Sequence, residues 1–390
     1  MEVLDVVKEW SVRCSQCGNC KVFANLFLPS CPPGSRYKFN SYYATGRIIV
    51  GMGLLEGSLT LDDDDVLERL YTCTACGACD ENCGNLIGGH IVDVIEGLRQ
   101  MAVSAGCTLP AHDIMVASLK KNDNVLDKPK EERGSWAQGL DVKNVTTEKA
   151  NVVYRAGCLL SYDQEMNGVA RDAVRLLQKA GVDIGIEGKE EVCCGGRVYE
   201  IGNLGEFIKY AEHNIEVYNN AGVSTVVVSC ADGLSHLRML YSNVHVDMNF
   251  KVLHMVEYLD RLIKEGRITF TKKVPMKVTY HDPCHLGRYN GIYDSPRDIL
   301  RSIPGLELVE MERSREYSWC CGAGAGVKQA YPDLSLWTAG ERIREAKNTG
   351  AKALITSCPW CEKNFKESAK AFGEEIEIYD IVEIVAQAIS

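Results

Sequence analysis

From Asn151 onward the chain alternates between two hydrophobic periods. The short β-branched runs NVVYRA, STVVVS, MKVTYH and KALITS predict buried strands. Between them lie amphipathic stretches such as GVARDAVRLLQKAG and SLWTAGERIREAKNTG, which predict covering helices. Together they predict a parallel α/β sheet. Residues 1–100 lack that alternation and read as mostly helical, and LDDDDVLERLY sets four acids at a helix start, where they complement the dipole and face solvent. Residues 101–150 read as a connector. Its polar run KKNDNVLDKPKEERGSWAQGLD, broken by Pro129 and Gly134, predicts a surface link over a neighbouring domain.

The α/β part repeats itself. Cys158, Cys193, Cys194 and Cys230 recur as Cys284, Cys320, Cys321 and Cys358, at offsets of 126 to 128 residues. The predicted units are 151–265 and 274–390. In each, the first and last cysteines follow strand-like runs and Cys-Cys-Gly lies on a loop. Loops at the carboxyl ends of parallel strands are where open α/β sheets place ligands. Two halves facing each other about a pseudo-twofold axis would bring both cysteine sets near the domain centre.

Length and composition sharpen this. A chain of 390 residues, 46% hydrophobic, can bury a large core, so its 18 cysteines are not needed as disulfide staples. The net charge of −10 argues against a nucleic-acid surface or a polybasic membrane footprint. The longest apolar stretch, Ile48 to Leu55, is too short to cross a bilayer, and the start MEVLDVVKEW has no signal-peptide core. A cytoplasmic protein is expected, with peripheral placement on the inner face of a membrane only through a membrane-bound partner.

The cysteine spacings carry the chemistry. Cys14, Cys17 and Cys20, and again Cys73, Cys76 and Cys79, form Cys-x-x-Cys-x-x-Cys runs. Such a turn offers three thiolates to a [4Fe–4S] cube, whereas zinc sites favour paired Cys-x-x-Cys arms. The layout resembles two-cluster ferredoxins, in which the distal cysteine serves the other cluster. That resemblance implies Cys83 as fourth ligand beside Cys14, Cys17 and Cys20, and Cys31 beside Cys73, Cys76 and Cys79. Two departures stand out: ten residues separate Cys20 from Cys31, and Gly84 replaces the proline expected after Cys83.

In the second repeat Cys284, Cys320–Cys321–Gly322 and Cys358-Pro-Trp-Cys361 offer five thiolates, more than a cubane needs. With HDPCHLGR around Cys284, this resembles the Cys-Cys-Gly domains of the heterodisulfide reductase family, especially its D-type member. The resemblance covers nearly the whole chain. It implies an α/β fold in which a helical ferredoxin-like N-terminal domain with two [4Fe–4S] clusters precedes two pseudo-symmetric Rossmann-like Cys-Cys-Gly repeats. It further implies a noncubane [4Fe–4S] cluster on Cys284, Cys320, Cys321, Cys358 and Cys361, where a disulfide is reduced or thiols are oxidised with electrons from the cubanes. The first repeat has Gly233 in the place of Cys361. Its Cys158, Cys193, Cys194 and Cys230 leave a further [4Fe–4S] cluster, a zinc or a degenerate half as alternatives. Cys107 alone is left over and reads as a small buried hydrophobe.

His281 and His285 flank Cys284, with Asp282 beside it; they are the candidates for proton delivery or for hydrogen bonding to the cluster. The loop GAGAG lets amides approach sulfur or an anionic substrate, and Arg197, Arg288 and Lys328 read as solvated surface charges. No flavin or nicotinamide motif is present. Electrons are therefore expected from a partner: a flavoprotein, a cytochrome b or a ferredoxin-like donor, in an anaerobic complex acting on a small thiol or disulfide. The other functional class is an electron-transfer subunit resembling the iron–sulfur subunit of glycolate oxidase, serving a flavoprotein 2-hydroxy-acid dehydrogenase of the glycolate or lactate type.

Overall fold

The computed structural model describes residues 3–23 and 25–389. Its N-terminal part is helical, as the sequence predicts. The helices Val3–Ser11, Ala44–Glu56, Asp64–Tyr71 and Ile91–Ser104 bury Val7, Leu70, Val94, Ile95 and Leu98 between them. The acidic run starts the helix Asp64–Tyr71, and the Asp63 carboxylate caps it by accepting from the Asp65 amide at 2.8 Å.

Two all-parallel sheets follow. The first runs Lys143–Asn144, Ile184–Ile186, Val152–Arg155, Thr225–Val228, Lys251–His254 in spatial order; the second runs Glu307–Val309, Lys277–Tyr280, Ala353–Thr356, Glu377–Asp380. Strand for strand the order is the same, apart from the extra two-residue edge at Lys143–Asn144. All four predicted runs are strands. Val152–Arg155 and Ala353–Thr356 are buried at every residue, as expected of parallel strands covered on both faces. The symmetry reaches side chains: the Tyr154 hydroxyl lies 3.0 Å from the Ser229 hydroxyl, and Tyr280 donates to Ser357 at 3.1 Å.

The repeats dock reciprocally. Helix Met255–Lys264 of the first packs on Asp294–Ser302 of the second, and Ile381–Ile389 of the second packs on Asn167–Lys179 of the first. Strand order reverses at Val152–Arg155 and at Lys277–Tyr280, the place where open α/β sheets open a crevice. Cys158 and Cys284 stand just past those strands.

The connector departs from expectation. Its first half is helical, in Ile91–Ser104 and Pro110–Asn122, and its polar tail buries Arg133 and Trp136 instead of lying wholly on the surface. The reason is an internal partner. Arg133 enters the first repeat and pairs with Glu191 at 2.5 Å.

Candidate iron–sulfur centres

The two N-terminal cysteine loops share one backbone device. Gln16 and Gly18 in the first, Ala75 and Gly77 in the second, all have positive φ, at equivalent places 59 residues apart. Alternating left-handed residues curl a loop and turn its amides inward; the Ala75 amide reaches Cys73 Sγ at 3.4 Å. Cys83 comes to the side of Cys17 and Cys14. Cys31 comes to Cys73, Cys76 and Cys79, and these four line one cavity. Burial pushes the Cys20 thiol up to about 11 and the Cys31 thiol up to about 12, the latter opposed by the Arg47 guanidinium. None of the cysteines is in a disulfide. Converging thiols, several of them pushed up by burial, are the donor set a multivalent iron cluster suits, since the cation is what stabilises buried thiolates.

The second repeat gathers its five cysteines into a chain of sulfur contacts. Cys320 lies against Cys284, Cys321 against both Cys320 and Cys361, and Cys361 against Cys358. Two contacts leave the set: Cys320 touches Cys76 of the N-terminal domain, and Cys358 touches Cys230 of the first repeat. Cys358 and Cys361 sit at the N-terminus of helix Pro359–Phe372, where Pro359 presets the first turn. The Gly322 amide donates to Cys320 Sγ at 3.3 Å. Glycine is required along this loop. Gly322 has φ +89°, and a Cβ on Gly324 would stand 2.6 Å from the Thr74 carbonyl oxygen in the Cys73–Cys79 loop.

His281 is buried, with a ligand atom within 4.8 Å of Cys321 and Cys361 sulfur. Arg342 Nε donates to its Nδ1 at 3.2 Å, which fixes the ring hydrogen on Nε2, an atom with no other protein partner. Burial, then the Arg342 charge, lowers its pKa to about 3, so the imidazole is neutral. Asp282 is committed to Arg297, at 2.7 and 3.0 Å, and to the Arg315 amide. His285 stacks on Tyr289 and turns toward Glu200, 3.3 Å away.

In the first repeat Cys158, Cys193, Cys194 and Cys230 line a single cavity with Arg155, His236 and Trp360. A hydrogen bond from Cys193 and the Arg133 charge bring the Cys158 thiol down to about 6, with Arg133 Nη1 3.4 Å from its sulfur. The amides of Gly195 and Gly233 each donate to a cysteine sulfur at 3.4 Å. Arg133 and Glu191 were not legible as site residues, because an arginine in a polar run reads as solvated. The three basic residues read as surface charges are instead satisfied inside the protein. Arg197 is buried, paired with Asp232 and 4.3 Å over the Trp360 ring; Arg288 donates to the carbonyls of Cys76, Glu316 and Ser318; Lys328 pairs with Glu367 and Asn364. Cys107 is only half-buried.

Family comparisons agree with this layout. The 4Fe-4S dicluster domain matches residues 10–87, and the Cysteine-rich domain (CCG) matches twice, at 152–238 and 278–366. The D-type polypeptide of the dihydromethanophenazine:CoB–CoM heterodisulfide reductase of Methanosarcina acetivorans is 32% identical, over 96% of this chain and 93% of its own length. The chain belongs to the D-type heterodisulfide reductase family. Heterodisulfide reductases of this type have kin with other roles: the EtfAB:quinone oxidoreductase of Syntrophomonas wolfei is 30% identical over 82% of this chain and 46% of its own length. A crystal structure of a hypothetical protein from Helicobacter pylori aligns with TM-score 0.59 at 10% identity, covering 90% of this chain and 68% of that one, a likeness of fold alone. As a D-type heterodisulfide reductase relative, the chain is an iron–sulfur oxidoreductase subunit with [4Fe–4S] clusters, a helical dicluster region and two α/β repeats. No helix among the described residues is long and apolar enough to cross a membrane.

Proposed function

We propose that this chain interconverts a disulfide and two thiols at Cys284, Cys320, Cys321, Cys358 and Cys361, and that these five hold a noncubane [4Fe–4S] cluster. Cys14, Cys17, Cys20 and Cys83 would hold one cubane, and Cys73, Cys76, Cys79 and Cys31 the other. Cys158, Cys193, Cys194 and Cys230 would hold a further [4Fe–4S] cluster. The carrying observation is the contact of Cys76 with Cys320, which joins the N-terminal cysteines to the five-cysteine set without an intervening side chain.

When bound, such clusters supply one-electron transfers and iron sites for sulfur. The protein supplies order and hydrogen-bond donors, and solvent supplies the protons. Sulfur positions run from exposed Cys17 to the buried Cys320, Cys321, Cys358 and Cys361, so an external carrier meets the Cys17 end. Reducing R–S–S–R′ consumes two electrons and two protons and releases two thiols; the partner supplies the electrons. His281 keeps a ring nitrogen within 4.8 Å of the Cys321 and Cys361 sulfurs, and the Gly322 amide holds Cys320. Both stabilise negative charge on sulfur without giving up a proton at neutral pH. The thiol pair named for the relatives, CoB and CoM, is the first substrate to try, with a flavoprotein, a cytochrome b or a ferredoxin-like donor as partner.

The test is anaerobic isolation and EPR after oxidation with each thiol present. A new paramagnetic signal with one thiol, lost in Cys361→Ser while both cubane signals persist, is expected. Rapid reduction by a flavoprotein with no thiol-dependent signal would overturn the reading in favour of electron relay, the role suggested by the quinone oxidoreductase relative.

A further inference from the structure

Between the two repeats lies a second donor set that contains no cysteine. Glu200 ends the short helix Gly196–Glu200, His236 follows helix Ala231–Ser235, and His285 lies in helix Cys284–Gly287. All three side chains are buried, with one ligand atom from each within 4.8 Å of the others. Glu200 Oε1 stands 3.3 Å from His285 Nε2 and 3.6 Å from His236 Nε2. Neither spacing has hydrogen-bond geometry. Both carboxylate oxygens and all four ring nitrogens lack a partner in hydrogen-bond geometry, and the His236 ring also faces Cys194. Three buried side chains whose polar atoms lack hydrogen-bond partners, each with one ligand atom within 4.8 Å of the others, call for an occupant.

The spacing indicates which. Two ligand atoms about 2.0–2.1 Å from a tetrahedral ion stand about 3.3 Å apart, close to the separations seen here. A proton shared between carboxylate and imidazole would draw the pair to hydrogen-bond distance and alignment instead. The backbone also makes room for the arrangement. A Cβ on Gly196 would stand 1.8 Å from His236 Nδ1, so the ring lies directly against that glycine. The second repeat has Ala323 at the equivalent place, so the clearance belongs to this site and not to Cys-Cys-Gly loops generally.

We propose that Glu200, His236 and His285 bind one divalent ion of the zinc or ferrous class, apart from any cluster. Two imidazoles and one carboxylate match the borderline hardness of these ions and leave a fourth position for water. Glu200 and His236 come from the first repeat and His285 from the second, so the ion ties the two halves together beside Cys194 and Cys284. Its binding does not depend on the reaction the cysteine sites perform.

The experiment is metal analysis of the full chain purified without oxygen. Zinc, iron and acid-labile sulfide are counted, and the non-cluster metal is examined by X-ray absorption. The expected result is one zinc, or one iron in excess of sulfide, per chain, with nitrogen and oxygen neighbours at about 2.0–2.1 Å and no sulfur shell near about 2.3 Å. Glu200→Gln and Glu200→Ala should each remove that one equivalent while cluster iron and sulfide stay unchanged. Absence of a non-cluster metal, or a zinc bound by sulfur as at Cys158, Cys193, Cys194 and Cys230, overturns the proposal. The spectrum of the unaltered protein decides the matter even if both variants fold poorly.

Discussion

At the scale of single residues, His281 shows how a neutral group can set a sulfur site. Arg342 occupies Nδ1 and leaves Nε2–H free on a ring that stands beside Cys321 and Cys361. Hydrogen bonds to cluster sulfur favour the more negative, reduced state. His281→Ala is therefore expected to lower the midpoint potential of the second-repeat centre, by on the order of tens of millivolts. His281→Gln, which can keep a donor, should recover part of it; EPR-monitored titration reads both. His112 offers a different check, away from the cysteines. It is buried with Nε2 3.1 Å from the Gly326 carbonyl, and burial lowers its pKa from 6.5 to about 4. The unfolded chain then binds this proton more readily than the folded one. The contribution of His112 is complete above pH 6.5 and falls away as pH drops toward 4, by about 3 kcal/mol. The Tm advantage of the native protein over His112→Gln should shrink correspondingly between pH 8 and pH 5.

The cysteines were legible because thiol spacing along a loop is local. Glu200, His236 and Arg133 were not, because each gains its meaning from a partner that only the fold brings near: His236 and His285 for Glu200, Glu200 for His236, and Glu191 and Cys158 for Arg133.

At the scale of elements, the four strands legible from sequence are the central ones, whose burial on both faces leaves an unbroken apolar run. Ile184–Ile186 and Glu307–Val309 are only three residues long, and Lys251–His254 and Glu377–Asp380 mix exposed with buried positions; such short or alternating segments give weak signals. The Gly-rich loop after Cys321 is an element whose composition was conspicuous and whose purpose was half visible. Its amides do approach sulfur, but its smallness chiefly serves a main-chain contact, Gly324 on Thr74. Gly324→Ala would drive a methyl into a carbonyl that cannot swing aside. A loss of about 1–3 kcal/mol is expected, with slower electron equilibration between the N-terminal and second-repeat centres by rapid-freeze EPR.

At the scale of the whole molecule, the N-terminal domain is bonded to the repeats rather than tethered to them. Buried Arg99 donates to the carbonyls of Leu70 at 2.7 Å, Cys73 at 2.6 Å and Glu200 at 2.8 Å, and so joins the Cys73–Cys79 loop to the first repeat through one guanidinium. Arg99→Met leaves those acceptors buried without a donor. At about 1–3 kcal/mol for each unsatisfied group, a loss of about 3 kcal/mol or more is expected. It should appear as a lower Tm and as protease cleavage near residues 123–150 under conditions where the native protein resists.

The seam between Gly324 and Thr74 has a kinetic corollary. Main chain resting on main chain leaves no slack, so the gap between the Cys76 and Cys320 sulfurs does not wait on a swinging arm. Electron passage across it should be indifferent to solvent friction. Internal transfer measured in sucrose and in plain buffer is expected to run at the same rate, and only the encounter with the outside carrier should slow as the medium thickens.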